Sequence, residues 1–181
     1  NAGETHQFLV QDLASNNTRT ITMTSADLVS DPVTTVKTIA TGSGNVGYIA
    51  FHSHLGLAEQ SLISAVNQLQ ADGISDLVLD LRYNGGGYLT IASELAYMIA
   101  GPAETTGKAF ERLVFNHKHP NTNPITGDAL QAEPFYNTTQ GFSVSAGQGL
   151  PTLDLNRVFV ITGENTCSAS ESIINGLRGI D

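Results

Sequence analysis

The segment Asp76-Leu-Val-Leu-Asp-Leu-Arg-Tyr-Asn-Gly-Gly-Gly-Tyr-Leu89 restricts the fold more than any other part of the chain. Residues 76–82 are nearly continuous in apolar side chains, the pattern of a strand covered on both faces. Gly85, Gly86 and Gly87 then leave three successive positions of the turn without a Cβ. Glycine admits positive φ and lets another backbone or a ligand come close. Leu89, Ala92, Leu95, Ala96 and Ile99 follow at helical spacing. A buried strand running through such a turn into a helix points to an α/β core with at least partly parallel strands. The turn has two readings. It can be a tight connection that merely needs glycine, or its free N–H groups can cradle an anion. That anion is a tetrahedral oxyanion in a hydrolase and a phosphate in a nucleotide-binding protein. Neither nucleotide fingerprint, G-x-G-x-x-G nor G-x-x-x-x-G-K-[ST], fits this turn.

A second strand-to-helix passage lies near the end, in Arg157-Val-Phe-Val-Ile-Thr-Gly-Glu-Asn-Thr-Cys-Ser-Ala-Ser-Glu171. Val158 to Ile161 read as a strand, and an amphipathic helix opens near Ser168. A serine placed there sits at the positive end of a helix dipole, which stabilises a developing alkoxide or oxyanion. Ser168-Ala-Ser-Glu171 also fits the capping box S-x-x-E, a purely structural helix start.

The remaining pattern is a β-hairpin over 7–24, a linker over 25–44, a strand over 46–51, a helix over 58–72, a long irregular region over 102–150, a strand over 157–162 and a helix over 168–178. Asn16-Asn17 supplies turn chemistry for the hairpin. Leu62, Ala65, Val66 and Leu69 give the helix one apolar face, and Gly73 suits its C′ position. The net charge of −9 at pH 7 disfavours nucleic acid and anionic membrane surfaces as partners. No stretch approaches the roughly twenty apolar residues of a membrane span. The lone cysteine, Cys167, forms no intrachain disulfide and reads as a packing residue. His117 and His119, without a nearby carboxylate or cysteine cluster, read as a solvated loop rather than a metal site. His52 and His54 share one face of an extended strand and offer a histidine base for Ser168.

Together, Asp80-Leu-Arg-Tyr-Asn-Gly-Gly-Gly87 and Thr166-Cys-Ser-Ala-Ser-Glu171 resemble the paired motifs D-L-R-x-N-G-G-G and T-x-S-A-S-E of the carboxyl-terminal processing (tail-specific) serine peptidases. Val46-Gly-Tyr-Ile-Ala-Phe51 is similar to the strand that enters their protease core. The resemblance covers roughly residues 46–181. It implies a ClpP/crotonase-like core with Ser168 as nucleophile. It also implies oxyanion N–H groups from Ala169 and from Gly86 or a neighbouring glycine, with Glu171, Gly85 and Gly87 in support. The family's base is a lysine beyond the serine. Lys37, Lys108 and Lys118 all precede Ser168. The expected lysine therefore lies outside residues 1–181, and the chain alone is expected to be inactive. The family's acidic position on this helix falls near Gly179 and Asp181.

The resemblance further implies that residues 1–28 are a β-hairpin remnant of a PDZ-like domain, with Asn1-Ala2 a candidate cloning scar. Residues 29–181 are then a peptidase core truncated at its C-terminal end. It implies polypeptide substrates, unfolded or offered as C-terminal tails, no cofactor or metal, and the periplasm or envelope of a bacterium. A non-catalytic peptide- or ligand-binding module on the same scaffold is the alternative. An acyl-CoA enzyme of the crotonase type is disfavoured by the peptidase-like serine segment.

Overall fold

The computed structural model describes residues 1–180, in two units that divide between Ser30 and Asp31. Asp181, the candidate acidic position, lies outside the described residues. The first unit is an antiparallel hairpin of β1 (Thr5–Gln11) and β2 (Thr18–Thr24), in register from Thr5↔Thr24 to Gln11↔Thr18. Its turn differs from the expectation. Ala14, not Asn16 or Asn17, takes the positive φ of 60°. Asn17 instead donates its N–H to the Ser15 hydroxyl at 3.0 Å, and its carbonyl accepts from the Asp12 N–H at 3.1 Å.

The second unit is built on a four-stranded sheet of order β3-β4-β5-β8. Its strands are β3 (Val33–Thr41), β4 (Gly44–Phe51), β5 (Ile74–Asp80) and β8 (Val158–Ile161). β3 and β4 pair antiparallel; β4, β5 and β8 run parallel. β3 corrects the expected linker over 25–44. Val33, Thr34, Thr35, Val36, Thr38 and Ile39 are β-branched residues suited to a pleated surface. They alternate too weakly in polarity to advertise a strand.

Parallel neighbours require crossovers. α1 (Ala58–Ala71) connects β4 to β5, and α2 (Leu89–Thr105) begins the longer path from β5 to β8. α3 (Ala169–Arg178) follows β8. Ile49, Leu62, Leu77, Leu79, Leu95 and Ile173 are fully buried in the core that these elements share. The expected end of the second helix near residue 100 has a visible cause. Gly101 takes φ 77°, ψ 176°, and Pro102 starts a further turn. A proline has no N–H to lose at a first helical position.

The region 102–150 is less irregular than its composition suggests. It contains a small antiparallel pair, β6 (Ala109–Arg112) with β7 (Ala132–Pro134). Residues 137–150 then close on themselves through a bridge between Thr138 and Gly149. Charged residues at the sheet are paired. Asp76 receives two hydrogen bonds from Arg157, at 2.7 and 2.9 Å. Asp80 binds Arg82 and accepts from the Tyr48 hydroxyl at 2.7 Å, which together hold its carboxyl well below the usual carboxylate range.

Candidate functional site

The two glycine- and serine-bearing turns leave adjacent parallel strands, β5 and β8, on the same side of the sheet. Asn84 joins them. It is fully buried, and its Nδ2 donates to the Phe51 carbonyl at the end of β4 at 2.9 Å. Its Oδ1 accepts from the Gly86 N–H at 3.0 Å and lies 3.1 Å from Nδ1 of His54. Its backbone carbonyl accepts from the Ser170 hydroxyl at 3.0 Å and the Cys167 N–H at 3.4 Å. One residue thus ties together β4, the glycine turn and the start of α3. Thr166 adds a second stitch: its hydroxyl donates to the Leu81 carbonyl at 2.8 Å and accepts from the Gly163 N–H at 3.0 Å. The sequence marks Asn84 and Thr166 only as letters of two motifs. Their role depends on a proximity between turns that no local pattern reveals.

Ser168 is exposed and takes φ 57°, ψ −124° as the residue before α3. For a residue with a Cβ, such a conformation costs about 1–3 kcal/mol and persists only where neighbours enforce it. The enforcement is visible. Glu171 Oε2 accepts the Ser168 N–H at 2.9 Å, and the Glu171 N–H donates to the Ser168 carbonyl at 2.8 Å. The capping-box reading and the exposed-serine reading therefore hold together: Glu171 fixes the backbone that projects Ser168.

The glycines differ in what they permit. Gly86 is buried at φ 100°, and a Cβ there would lie 2.8 Å from the Ser168 Cβ and 3.0 Å from the Ala169 nitrogen. Gly87, at φ 136°, would place a Cβ 2.5 Å from the His54 carbonyl oxygen. Gly85 is exposed, and a Cβ there would make only ordinary contact with Asn165. The N–H groups correct one expectation. That of Gly86 is engaged by Asn84 Oδ1 and is not available to a ligand in this conformation. Those of Gly87 and Ala169 have no acceptor among the described residues. Gly87, Ala169 and Ser168 border one depression of about 440 Å³, together with Leu89, Glu111, Glu171, Ser172 and Asn175.

The two histidines part company instead of sharing a face, because β4 ends at Phe51. His52 Nε2 lies 2.8 Å from the Thr34 hydroxyl. His54 is fully buried, and its ring packs on Phe51 with centroids 4.5 Å apart. Asn84 Oδ1 requires a donor, so Nδ1 carries the proton and the buried Nε2 has no partner among the described residues. Burial lowers the His54 pKa to about 4, against smaller opposing contributions from Asn84 and Gly86. No hydrogen bond joins either histidine to Ser168 among the described residues.

Cys167 is exposed, not packed away, with its thiol 3.2 Å from the Gly85 carbonyl oxygen. The described residues contain no group of three His, Cys, Asp or Glu placed to hold a metal, and no helix long and apolar enough to cross a membrane. Lys108 donates to the Ile180 carbonyl at 3.1 Å. Lys37 lies on β3 and Lys118 in the segment between β6 and β7.

Comparison with known proteins gives this geometry a context. The chain is 33% identical over 94 residues to a carboxyl-terminal-processing protease of a Picosynechococcus species, matching 52% of this chain and 22% of that protein. A crystal structure of a Bacteroides fragilis protein assigned to the S41 proteases superimposes with a TM-score of 0.68 at 25% identity, covering 99% of this chain and 46% of the other. The photosystem II D1 C-terminal processing protease shares the fold, with a TM-score of 0.56 at 18% identity over 98% of this chain and 42% of that one. The matches thus span less than half the length of each of these relatives. The model of peptidase family S41 matches residues 45–181, which include both stitched turns, all three glycines and Ser168. On that match, the chain belongs to peptidase family S41.

Proposed function

We propose that this chain is the core of a serine endopeptidase that processes polypeptides near their C-termini, with Ser168 as its nucleophile. The observation that carries the reading is the backbone of Ser168, held at φ 57° against the glycine turn, beside a depression that it borders together with Gly87 and Ala169, two residues whose N–H groups have no acceptor among the described residues. A serine so placed attacks a carbonyl lying between it and two backbone donors. Its proton passes to a base and then to the leaving amine. An acyl-enzyme forms, and water releases it. Gly87 and Ala169 hold the oxyanion. Gly86 and Gly85 shape the turn, and Glu171 fixes the serine backbone. The family resemblance implies a lysine base that follows the serine in the chain; Lys37, Lys108 and Lys118 all precede Ser168.

The same resemblance supports a ClpP/crotonase-like core over 29–181, a PDZ-like origin for the hairpin over 1–28, and a bacterial periplasmic or envelope setting. A binding module on this scaffold remains the second reading. It rests on the absence of any hydrogen-bonded base at Ser168 among the described residues.

The test uses the full-length protein and an unfolded polypeptide with an apolar tail. Cleavage should be lost in Ser168→Ala and in a substitution of the first lysine that follows α3. Cleavage that survives Ser168→Ala would sink the mechanism. Binding without cleavage would favour the module.

A further inference from the structure

Residues 137–150 form a loop with its own internal bonds. The Thr139 N–H donates to the Gln148 carbonyl at 2.8 Å, and its hydroxyl donates to the Ser145 carbonyl at 2.7 Å. A carboxylate from α1 sits at its centre. Glu59 is 1% exposed and accepts four backbone N–H groups: Gln140 at 2.8 Å, Gly141 at 3.0 Å, Ser143 at 2.7 Å and Val144 at 2.9 Å. Burial alone would raise its pKa, but those four donors outweigh burial and lower it. From α2, Glu94 Oε1 accepts the same Gln140 N–H at 3.0 Å. Two buried carboxyl groups this close do not both ionise readily. Burial first, and then the Glu59 charge, push Glu94 up to about 8.

This clasp places one aromatic ring. Phe142 meets Tyr88 with ring centroids 4.7 Å apart, and it lies so close to Gly56 that a Cβ there would be 3.3 Å from the ring. Tyr88 directly follows Gly87, and its N–H is bound by the His54 carbonyl at 2.8 Å. Leu55 and Leu57 flank Gly56 and remain 50% and 48% exposed. Tyr88 and Phe142 remain 53% and 37% exposed. Large apolar side chains are usually scattered singly on a surface; a cluster marks an interaction site. None of these four side chains is charged: the two rings touch, the leucines flank the Gly56 backbone on which Phe142 rests, and Tyr88 follows Gly87, which borders the Ser168 depression.

We propose that Tyr88 and Phe142, with Leu55 and Leu57, form a specificity wall that takes an apolar or aromatic side chain of the polypeptide bound across Gly87, and that Glu59 is the positioning residue for this wall. The inference rests on the peptidase reading for the identity of its ligand, but the wall acts in binding and is testable without cleavage. An uncharged wall leaves a carboxylate side chain desolvated and unpaired, so it discriminates by exclusion as well as by contact.

The experiment measures binding to full-length protein carrying Ser168→Ala, by fluorescence anisotropy. The ligands are labelled peptides of Gly, Ser and Ala in which one position at a time becomes Phe, Leu or Asp. At one position, Phe should bind about 10- to 100-fold more tightly than Asp. Phe142→Ala and Tyr88→Ala should each reduce that ratio to about threefold or less. Glu59→Gln should do the same, whereas a merely structural role would weaken all peptides equally. No preference at any position, or a preference intact in both aromatic variants, would overturn the wall. A preference that behaves as expected in a protein whose serine form cleaves nothing would retain the wall and remove the peptidase reading.

Discussion

Gly86 and Ser168 approach so closely that a Cβ on the glycine would lie 2.8 Å from the Cβ of the serine. The other atoms it would meet are backbone, the Ala169 nitrogen and the Cys167 carbonyl oxygen, both at 3.0 Å. Neither can rotate away as a side-chain tip would. Gly86→Ala also suffers at φ 100°. We expect it to destabilise the fold by about 1–3 kcal/mol. We also expect it to displace Ser168 and, on the proposed mechanism, to lower kcat of the full-length protein by about 100-fold or more. Gly85→Ala, with open space around it, should change kcat by less than about tenfold. Equal effects in the two variants would contradict the contact.

Asn84→Ala leaves three buried partners unserved: the Phe51 carbonyl, the Gly86 N–H and the His54 Nδ1–H. Each such group costs about 1–3 kcal/mol, softened where water can enter. Urea denaturation should therefore show a loss of about 2–5 kcal/mol. The released Gly86 N–H should also exchange with solvent faster than its neighbours in core strands.

His54 and Glu94 give opposite pH dependences. The His54 pKa is lowered from 6.5 to about 4, so the unfolded chain binds the extra proton and stability falls as pH drops through that window. The Glu94 pKa is raised from 4.5 to about 8, so the folded chain holds the extra proton and stability falls as pH rises through that window. The two slopes cancel where the windows overlap, and Glu94 alone acts from 6.5 to about 8. Thermal scans should therefore show little change in the overlap and a decline above it. Glu94→Gln keeps the shape without the titration. It should abolish the upper decline and expose the His54 slope beneath it. A decline that survives Glu94→Gln would place its origin elsewhere.

Glu59→Ala removes the acceptor of four N–H groups and should cost about 3 kcal/mol. Its effect should be local as well as global. Limited proteolysis should cut within residues 137–150 in the variant before any cut in α1 or α2. Uniform sensitivity along the chain would argue against a clasp.

Much of the fold core was legible because its strands and helices carry their own signals. The apolar run of β5, the glycine turn, and the periodic face of α1 with Leu62, Ala65, Val66 and Leu69 are local patterns. The position of Ser168 at the turn between β8 and α3 was legible for the same reason, as a polar stretch between a strand and a helix. What escaped is what depends on distant residues. β3 is a strand because β4 pairs with it. Glu59 looks like an ordinary acid in a helix's first turn until the loop arrives. The identity of the free N–H shifted from Gly86 to Gly87 because Asn84 bends back on its own turn.

The Glu59 clasp has a consequence for the order in which the molecule is made. Its partners lie 81 to 85 residues later in the chain. At about 5–20 residues per second, synthesis delivers those partners several seconds after α1 has left the ribosome. Throughout that interval the carboxylate must keep its water, and α1 cannot fully seal against α2. The wall beside Ser168 is therefore assembled late in synthesis. A nascent chain stalled before residue 140 should carry Leu55, Leu57 and Tyr88 without Phe142 or Ser168, a half-built wall with no clasp to hold it.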